Sequence, residues 1–133
     1  MRKKKMDTVF ISDDGVKDDT FIKVAGQYAE GVYATGPADV TKNPLAKAAR
    51  EAHLNAYGEE PGAFFDNAYT AALALTHAIE KAGTTDSQAV AAVLKSEEVA
   101  TPFGNIRFDE MGDAIGVGFS VYQVRNGEYV QIQ

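Results

Sequence analysis

The chain has 133 residues, of which 45% are hydrophobic and 24% are charged, as in an ordinary globular protein of one domain. Its 13 basic and 19 acidic residues give a formal net charge of −6, which argues against non-specific nucleic-acid binding, because such binding needs a basic surface. The chain has no cysteine, so disulfides, thiolate nucleophiles and cysteine-based metal centres are excluded.

The first residues of the chain carry a cluster of basic side chains. Arg2 to Lys5 resemble the charged start of a signal peptide, but no apolar run of about seven residues follows them. No stretch approaches the roughly 20 apolar residues that cross a membrane. We therefore expect residues 1–7 to be a disordered leader and the chain, as it stands, to be cytoplasmic.

The next part of the chain predicts a strand–helix–strand unit. Thr8–Ser12 are mostly β-branched or aromatic and predict a strand that is buried on both faces. Asp18 or Asp19 is expected to cap the following helix, and Gly31 to end it. Residues 32–35 predict a second strand, which should run parallel to the first.

A loop-like segment near residues 36–42 follows and is expected to act as a hinge. Asn43-Pro44 then combine a preferred cap residue with proline at the first helical position, so a helix should start there and stop at Gly58. The side of this helix that carries Arg50 is polar. The helix is therefore predicted to lie on the surface, with Arg50 on the solvent side. Its predicted apolar face comprises Leu45, Ala48, Ala49, Ala52 and Ala56.

Two more helices are predicted before the composition changes. The pattern from Ala63 to Ala82 is apolar on two faces, so this helix is predicted to be largely buried, with Gly83 as its end. Thr85 or Asp86 should cap the next helix. The apolar face of that helix comprises Ala89, Val90, Val93 and Leu94.

The C-terminal part predicts antiparallel strands. Residues 105–108 predict a short strand, 109–113 a turn, and the alternation over 117–124 a longer strand. Asn126-Gly127 favours a type I′ hairpin turn, and residues 128–132 should form the return strand. The predicted class is therefore α/β, with a βαβ unit, three further helices and C-terminal antiparallel strands.

The densest cluster of carboxylates follows the first predicted strand. Ligands of open α/β sheets bind beyond the carboxyl ends of strands, so Asp13 to Gly15 form the first candidate site. Asp13, Asp14, Asp18 and Asp19 suit three roles: helix capping and turns, binding of a ligand ammonium, or metal and acid–base chemistry. Their spacing does not match an EF-hand loop.

No other motif indicates catalysis. His53 and His77 lie on different predicted helices without a zinc-binding spacing, and no nucleophile elbow, phosphate-binding loop or dinucleotide fingerprint is present. Turn chemistry explains Asp109 to Asp113 better than calcium binding does. We predict no enzyme activity, no metal and no cofactor. Phe64 and Phe65, at the start of the longest helix, suit either a core or the lining of a ligand pocket.

Several stretches together resemble the periplasmic branched-chain amino-acid binding proteins, which are type I solute receptors of ABC importers. The resemblance runs from about Val9 to the C-terminus, and the order and spacing of the stretches make it specific. The matching stretches are Ser12–Val16, Ala29–Thr35, Asn43-Pro44, Ala68–Ala72, Thr101–Asp109 and Phe119–Val124.

The resemblance implies a partial type I periplasmic-binding-protein fold and a ligand site. Members have two α/β lobes joined by three hinge crossings, with an amino acid bound between the lobes. The position matching Asp14 holds the ligand's ammonium, with Gly15 beside it, and the position matching Phe64 packs near the ligand side chain. Gly36-Pro37 match a hinge crossing.

The chain resembles only the C-terminal part of such a receptor. The part without a counterpart holds the groups that grip the ligand's α-carboxylate, so the site is expected to be incomplete. We therefore expect residues 8–133 to form a single truncated domain with a hinge-like segment near 36–42. Its function is expected to be that of a solute-binding module for a branched-chain or similar amino acid.

The resemblance also implies partners and a location. An ABC permease is the implied partner, and the implied location is the periplasm, although residues 1–7 lack an export signal. The exposed edges of a fragment favour a homo-oligomer or the missing receptor half as a further partner. An alternative function is a structural or interaction protein that folds as a homo-oligomer and binds no amino acid.

Overall fold

The computed structural model describes residues 6–133, and these residues form two compact units. The terminal unit contains the described residues up to Asp39 together with Phe119–Gln133, and the central unit is Val40–Gly118. The boundary after Asp39 falls within the segment near 36–42, whose role as a hinge stays a prediction. Residues 1–5 of the predicted leader lie outside the described residues, and Met6 and Asp7 are exposed.

The terminal unit is a four-stranded sheet with a helix. The strand order is β1-β2-β6-β7, with β1 parallel to β2 and the other pairs antiparallel, as the strand–helix–strand pattern predicts. A small core of Ala29, Val32 and Val124 lies under the helix. The elements are β1 (Ile11–Ser12), a 3-10 turn (Asp14–Val16), α1 (Asp19–Ala25), a 3-10 turn (Gly26–Ala29), β2 (Tyr33–Pro37), β6 (Phe119–Arg125) and β7 (Glu128–Gln131).

The central unit consists of three helices and a three-stranded antiparallel sheet. Helix α3 packs against α4 and β3, and the strand order is β3-β4-β5. The elements are α2 (Pro44–Tyr57), α3 (Phe65–Ala82), α4 (Ser87–Ser96), β3 (Val99–Thr101), β4 (Gly104–Phe108) and β5 (Ala114–Ile115). Strands β3 and β5 were not predicted, because each is too short to show alternation. No helix of the described part is both long enough and apolar enough to span a membrane.

Local signals in the sequence set most element ends correctly. Asp18 caps α1 through the Thr20 amide, and Asn43 caps α2 with Pro44 as its first residue. Asp86 caps α4, and the left-handed Gly83 ends α3. Each cap depends only on residues within a turn of the helix end, which is why the sequence alone predicts it.

The hairpin between β6 and β7 has the predicted turn. Asn126 and Gly127 have φ values of 54° and 78°, so both central residues adopt the left-handed conformation that a type I′ turn requires. The amides of both residues donate to the carboxylate of Glu30, at 3.0 and 3.3 Å. Glu30 thus joins the hairpin to the segment before β2.

The first predicted strand is shorter and more exposed than the sequence suggests. Strand β1 covers only Ile11–Ser12, and the exposed fractions of Val9 and Ile11 are 74% and 60%. The prediction of burial on both faces is wrong, because Phe10 packs against the core of the terminal unit whereas Ile11, on the opposite face of the sheet, is exposed. The predicted end of the second strand at Thr35 is also wrong, since Gly36 and Pro37 pair with Ser120 and Phe119 in the sheet.

Three predictions about the helices also need correction. Helix α1 ends at Ala25, since Gly26 has a φ of +54° and a 3-10 turn replaces the helix before Gly31. The buried residues of α2 are Ala46 and Ala49, and Arg50 turns from solvent to Asp66. Helix α3 begins at Phe65 and is buried on one side only. Its buried residues are Asp66, Thr70, Ala74 and Ala78.

Candidate functional site

The predicted ligand turn follows β1 directly. Asp13 caps the 3-10 turn Asp14–Val16, and its Oδ1 accepts a hydrogen bond from the Gly15 amide at 3.2 Å. This capping occupies the Asp13 carboxylate. Asp14 is half-buried, and within residues 6–133 no group hydrogen bonds to or forms an ion pair with its carboxylate. Of these two neighbouring carboxylates, that of Asp14 is therefore the one without a partner among residues 6–133.

Gly15 fits closely beneath the Asp13 cap. A Cβ atom at this position would lie 3.2 Å from Asp13 Oδ1, which is tighter than an ordinary contact. A larger residue would press on the carboxylate that caps the turn. The absence of a side chain at Gly15 therefore leaves the Asp13 cap undisturbed.

Two long-range contacts hold the ligand turn. The hydroxyl of Tyr129 on β7 donates to the carbonyl oxygen of Val16, the last residue of the turn. Lys17, the next residue, places Nζ 4.1 Å from the ring centroid of Tyr122 on β6, which is a cation–π geometry. Both contacts come from the C-terminal strands β6 and β7, so these strands hold the turn in place.

Lys17 also lies against the strand that leads to the unit boundary. A Cβ atom on Gly36 would come within 2.6 Å of Lys17 Cδ. The glycine therefore leaves room for the aliphatic part of the Lys17 side chain. The hydroxyl of Tyr122 donates to the carbonyl oxygen of Pro37 at 2.5 Å. The ligand turn is thereby packed onto the last residues of β2.

The remaining carboxylates of the acidic cluster have structural roles or point to solvent. Asp18 Oδ1 accepts the Thr20 amide at 2.7 Å. Hydrogen bonding to Thr20, first to its side chain and then to this amide, lowers the pKa of Asp18. Asp19 lies exposed in the first turn of α1, where a negative charge suits the helix dipole. The cluster therefore separates into two caps, one first-turn residue, and Asp14, whose carboxylate has no partner among residues 6–133.

Burial affects the two tyrosines that support the turn. The pKa values of Tyr122 and Tyr129 are raised, chiefly because burial disfavours the charged phenolate. The negative charge of Asp39 adds to the effect on Tyr122, and those of Asp18 and Asp19 add to the effect on Tyr129. Both hydroxyls are protonated near neutral pH and can donate their hydrogen bonds.

Phe64 lies in the central unit, whereas Asp14 and Gly15 lie in the terminal unit. Its side chain is 49% exposed, and it occupies the third position of the turn that the Phe65 amide closes onto the Gly62 carbonyl at 3.1 Å. Its φ of −103° and ψ of 13° are close to those of the third residue of a type I turn. Phe65, in contrast, packs edge-on against His53 at 5.1 Å. The structure thus makes Phe64 the more accessible ring of the pair.

Other predicted candidates have ordinary structural partners. His77 Nε2 lies 2.9 Å from a carboxylate oxygen of Glu97, and Asp109 Oδ1 accepts the amides of Met111 and Asp113, both at 2.9 Å. The Asp109 contacts confirm a turn. Among residues 6–133, no group of three or more histidines, aspartates or glutamates is placed to hold a metal ion.

The sequence did not predict a groove in the terminal unit. It has a volume of about 600 Å³ and lies beside the exposed edge of β1. Apolar side chains of Val9, Phe10, Phe21 and Tyr33 line much of it, and Gln123 contributes from β6. The groove becomes visible only when the sheet is assembled, because residues distant in the chain form its walls.

Comparison with known proteins gives a consistent result. A family model described as periplasmic binding protein matches residues 4–128. A leucine-, isoleucine-, valine-, threonine- and alanine-binding protein of Pseudomonas aeruginosa is 35% identical over 118 residues, which cover 89% of this chain and 32% of the relative. A Leu/Ile/Val-binding protein of Rhizobium johnstonii is 38% identical over 122 residues, which cover 90% and 33%.

A solved structure has the same fold as this chain. The leucine binding protein LivK of Thermotoga maritima superimposes with a TM-score of 0.82 and 30% identity, over 99% of this chain and 38% of that one. The chain therefore spans about a third of the length of the curated relatives that it matches. The prediction of a partial type I binding-protein fold is confirmed.

Proposed function

The chain belongs to the periplasmic binding protein family, and we propose that it is a non-enzymatic solute-binding module for a branched-chain or similar amino acid. Its curated relatives are named for binding leucine, isoleucine and valine. The observation that carries the proposal is the half-buried, unbonded carboxylate of Asp14 at the end of β1, within the described residues.

In this proposal Asp14 receives the ammonium of the amino acid. A carboxylate and an ammonium form a charge-assisted hydrogen bond, which is stronger than a neutral one. The turn that carries Asp14 is fixed by Asp13, Tyr129 and Lys17, so little conformational entropy is lost on binding. Gly15 supports the same turn by leaving the Asp13 cap undisturbed.

Phe64 supplies the apolar contact to the ligand side chain in this proposal. Its half-exposed ring is available for contact, and burying an aromatic ring against a leucine side chain is favourable. The site proposed for this chain is an incomplete one, in which the groups for the α-carboxylate are expected from the part of the relatives that the chain does not span. A receptor half or a second copy of the chain would supply them.

The test is calorimetric titration of the whole chain with leucine, isoleucine and valine. Asp14→Asn removes the charge, and Asp13→Asn is the matched control, since asparagine also caps a helix. We expect Asp14→Asn to weaken binding by about 10- to 100-fold, the effect of about 1.5–3 kcal/mol for a charged hydrogen bond. The Asp13→Asn variant should bind within about threefold of the parent, which is less than about 1 kcal/mol.

Two results would contradict the ammonium role. One is binding that survives Asp14→Asn, and the other is an equal loss in both variants. A further control is 4-methylpentanoate, which keeps the side chain and carboxylate of leucine but has no ammonium. It should bind the parent chain and Asp14→Asn equally weakly.

A second candidate function rests on the uncovered face of the terminal sheet. Ile11, Tyr33, Gln123 and Val130 are directly paired across the four strands, so their side chains share one face. Ile11 is 60% exposed and Val130 38% exposed. A structural protein that assembles through this face and binds no amino acid would also cover it.

Light scattering separates the two functions. A stable homo-oligomer that gives no heat with leucine, isoleucine or valine would favour the structural protein. Ile11→Lys places a charge on the uncovered face and should dissociate such an oligomer. A chain that binds leucine with the same affinity in both the Ile11→Lys and parent forms supports the solute-binding function.

The proposed location is the periplasm and the proposed transport partner is an ABC permease. Both proposals rest on the family, whose members are periplasmic binding proteins. Stimulation of a reconstituted permease's ATPase by the chain and leucine together would support the partner. No stimulation in the presence of bound leucine would contradict it.

A further inference from the structure

His53 contacts the chain near both ends of the loop that contains Phe64. This loop, residues 58–64, connects α2 to α3. The His53 ring lies on α2 between two other rings, with centroids 4.8 Å from Tyr57 and 5.1 Å from Phe65. Its Nδ1 atom lies 3.1 Å from the carbonyl oxygen of Glu59. One side chain therefore touches the second residue of the loop and the residue just after it.

The hydrogen bond fixes the tautomer of His53. A carbonyl oxygen only accepts, so Nδ1 carries the proton and donates it to Glu59. The T-shaped contact with Phe65, at 75° between the ring planes, is a favourable aromatic geometry. Phe65 also stacks on Tyr69 at 5.9 Å, so its ring is held from two sides.

These contacts determine where the neighbouring Phe64 can lie. The Phe65 amide closes the turn onto the Gly62 carbonyl, and Phe64 is the third residue of that turn. At the other end, the left-handed Gly58 ends α2 and starts the loop, with a φ of +75°. His53 therefore contacts the chain on both sides of the segment that contains Phe64.

We propose that His53 is a positioning residue that holds the 58–64 loop and sets the place of the Phe64 ring, and through it the preference for large apolar ligand side chains. The proposal rests on the proposed contact between Phe64 and the ligand. It assigns no direct ligand contact to His53. The hydrogen bond to Glu59 is the part of the interaction that simple packing of α2 on α3 does not require.

Two variants separate the hydrogen bond from the packing. His53→Phe keeps an aromatic ring between Tyr57 and Phe65 but cannot donate to Glu59. His53→Asn keeps a donor close to the position of Nδ1 but removes the ring. His77→Phe is the control. It removes the contact between His77 and Glu97, and neither of these residues lies in the loop or next to it.

The first measurement is hydrogen exchange at the Phe65 amide, which donates to the Gly62 carbonyl, in the whole chain without ligand. Loss of one hydrogen bond of about 1 kcal/mol should speed exchange there about fivefold in His53→Phe. His53→Asn should restore part of the protection of the Phe65 amide, although its loss of ring packing lowers overall stability. His77→Phe should leave the loop unchanged. Unchanged loop exchange in His53→Phe would overturn the proposal.

The second measurement is the ratio of the affinities for leucine and alanine. A positioning role predicts that His53→Phe lowers this ratio about fivefold, while the free energy of unfolding falls by no more than the one hydrogen bond, about 1 kcal/mol. A purely structural role predicts the same loss of stability with an unchanged ratio, and that result would overturn the proposal. Phe64→Ala should lower the ratio at least as much.

The same experiment distinguishes failure of the underlying function. If Phe64→Ala leaves the ratio unchanged, the proposed ligand contact fails, and with it the effect of His53 on ligand preference. The exchange measurement needs no ligand, so faster exchange in His53→Phe would still support the hold of His53 on the loop.

Discussion

Tyr129 donates its hydroxyl to the carbonyl oxygen of Val16, and this bond joins the last strand to the turn that carries Asp14. The two residues are 113 positions apart in the chain. The strand β7 therefore contributes to the candidate site without approaching it in sequence. The stability of the C-terminal hairpin and the shape of the ligand turn should depend on each other.

Replacing Tyr129 by phenylalanine tests this relationship. The variant keeps the ring in the core of the terminal unit and removes only the hydroxyl. We expect a loss of about 1 kcal/mol in the free energy of unfolding, as for a typical hydrogen bond, and weaker leucine binding. Urea denaturation and calorimetry measure the two effects. Tyr28→Phe, at a ring that is 55% exposed, is the control and should change neither.

Alkaline pH should destabilise the terminal unit through Tyr122 and Tyr129. Their pKa values are raised in the folded chain, chiefly by burial, above the ordinary value of 10.0. Above about pH 10 the unfolded chain loses these protons first, so the folded chain binds more protons and stability falls as the pH rises. Below pH 10 the stabilising contribution is fully present.

This pH dependence is measurable by urea denaturation between about pH 8 and 11, alongside ultraviolet titration of the phenols. The double variant Tyr122→Phe/Tyr129→Phe should show a weaker decline in the free energy of unfolding above pH 10 than the parent chain. Equal declines in the two proteins would show that these phenols do not cause the effect.

The ion pair between Arg50 and Asp66 links α2 to α3. Arg50 Nη2 lies 2.5 Å from Asp66 Oδ2, and Nε lies 3.3 Å from Oδ1, so the pair is bidentate. Asp66 is only 6% exposed. Arg50→Met should cost about 3 kcal/mol, because it leaves a buried carboxylate unpaired. Since the Arg50 side chain is about a third exposed, water limits the loss.

A double-mutant cycle measures this pair by urea denaturation. Asp66→Leu in the Arg50→Met background removes the unpaired carboxylate, so the double variant should be more stable than Arg50→Met alone. If the two single changes simply add, the side chains are not coupled and the contact has little energetic importance.

Thr70 offers a route to a more stable chain. Within residues 6–133 its Oγ1 atom is buried without a hydrogen-bond partner. Thr70→Val keeps the shape and removes the unsatisfied hydroxyl, so we expect a gain of about 1 kcal/mol in the free energy of unfolding. Thr76 is the control, since it is exposed and its hydroxyl bonds to the Ala72 carbonyl at 2.8 Å. Thr76→Val should change stability by less than about 0.5 kcal/mol.

The sequence predicts those parts of the fold that depend on a few neighbouring residues. The cap at Asp18, the helix start at Asn43-Pro44 and the hairpin turn at Asn126-Gly127 all agree with the structure. In each case a single side chain or backbone angle within one turn determines where the helix begins or which turn forms. The parallel pairing of β1 and β2 follows in the same way, from a helix short enough to return the chain to the sheet.

Burial depends on distant residues and was predicted less well. The apolar pattern suggested a largely buried α3, but Leu75 is 49% exposed while the charged Asp66 is buried. The partner of Asp66 is Arg50, sixteen residues earlier, and no local pattern reveals that contact.

The candidate site was predicted in part. The acidic turn after β1 was located from the sequence, and the assignment of Asp14 as the ligand residue came from the family resemblance and stays a proposal. The structure adds that Asp13 is occupied as a cap. The supports at Tyr129 and Lys17 and the hold of His53 on the loop were not predicted, because they involve contacts that only the folded chain brings about.

The contact of Glu30 with the Asn126-Gly127 turn has a consequence for the order of folding. It spans 96 and 97 residues, and the sheet of the terminal unit likewise needs strands from both ends of the chain. The central unit, in contrast, is one continuous segment. During synthesis the central unit can therefore fold as soon as it emerges, whereas the terminal unit must wait for its last fifteen residues, Phe119–Gln133. The turn that carries Asp14 is therefore synthesised before the strands that hold it in place.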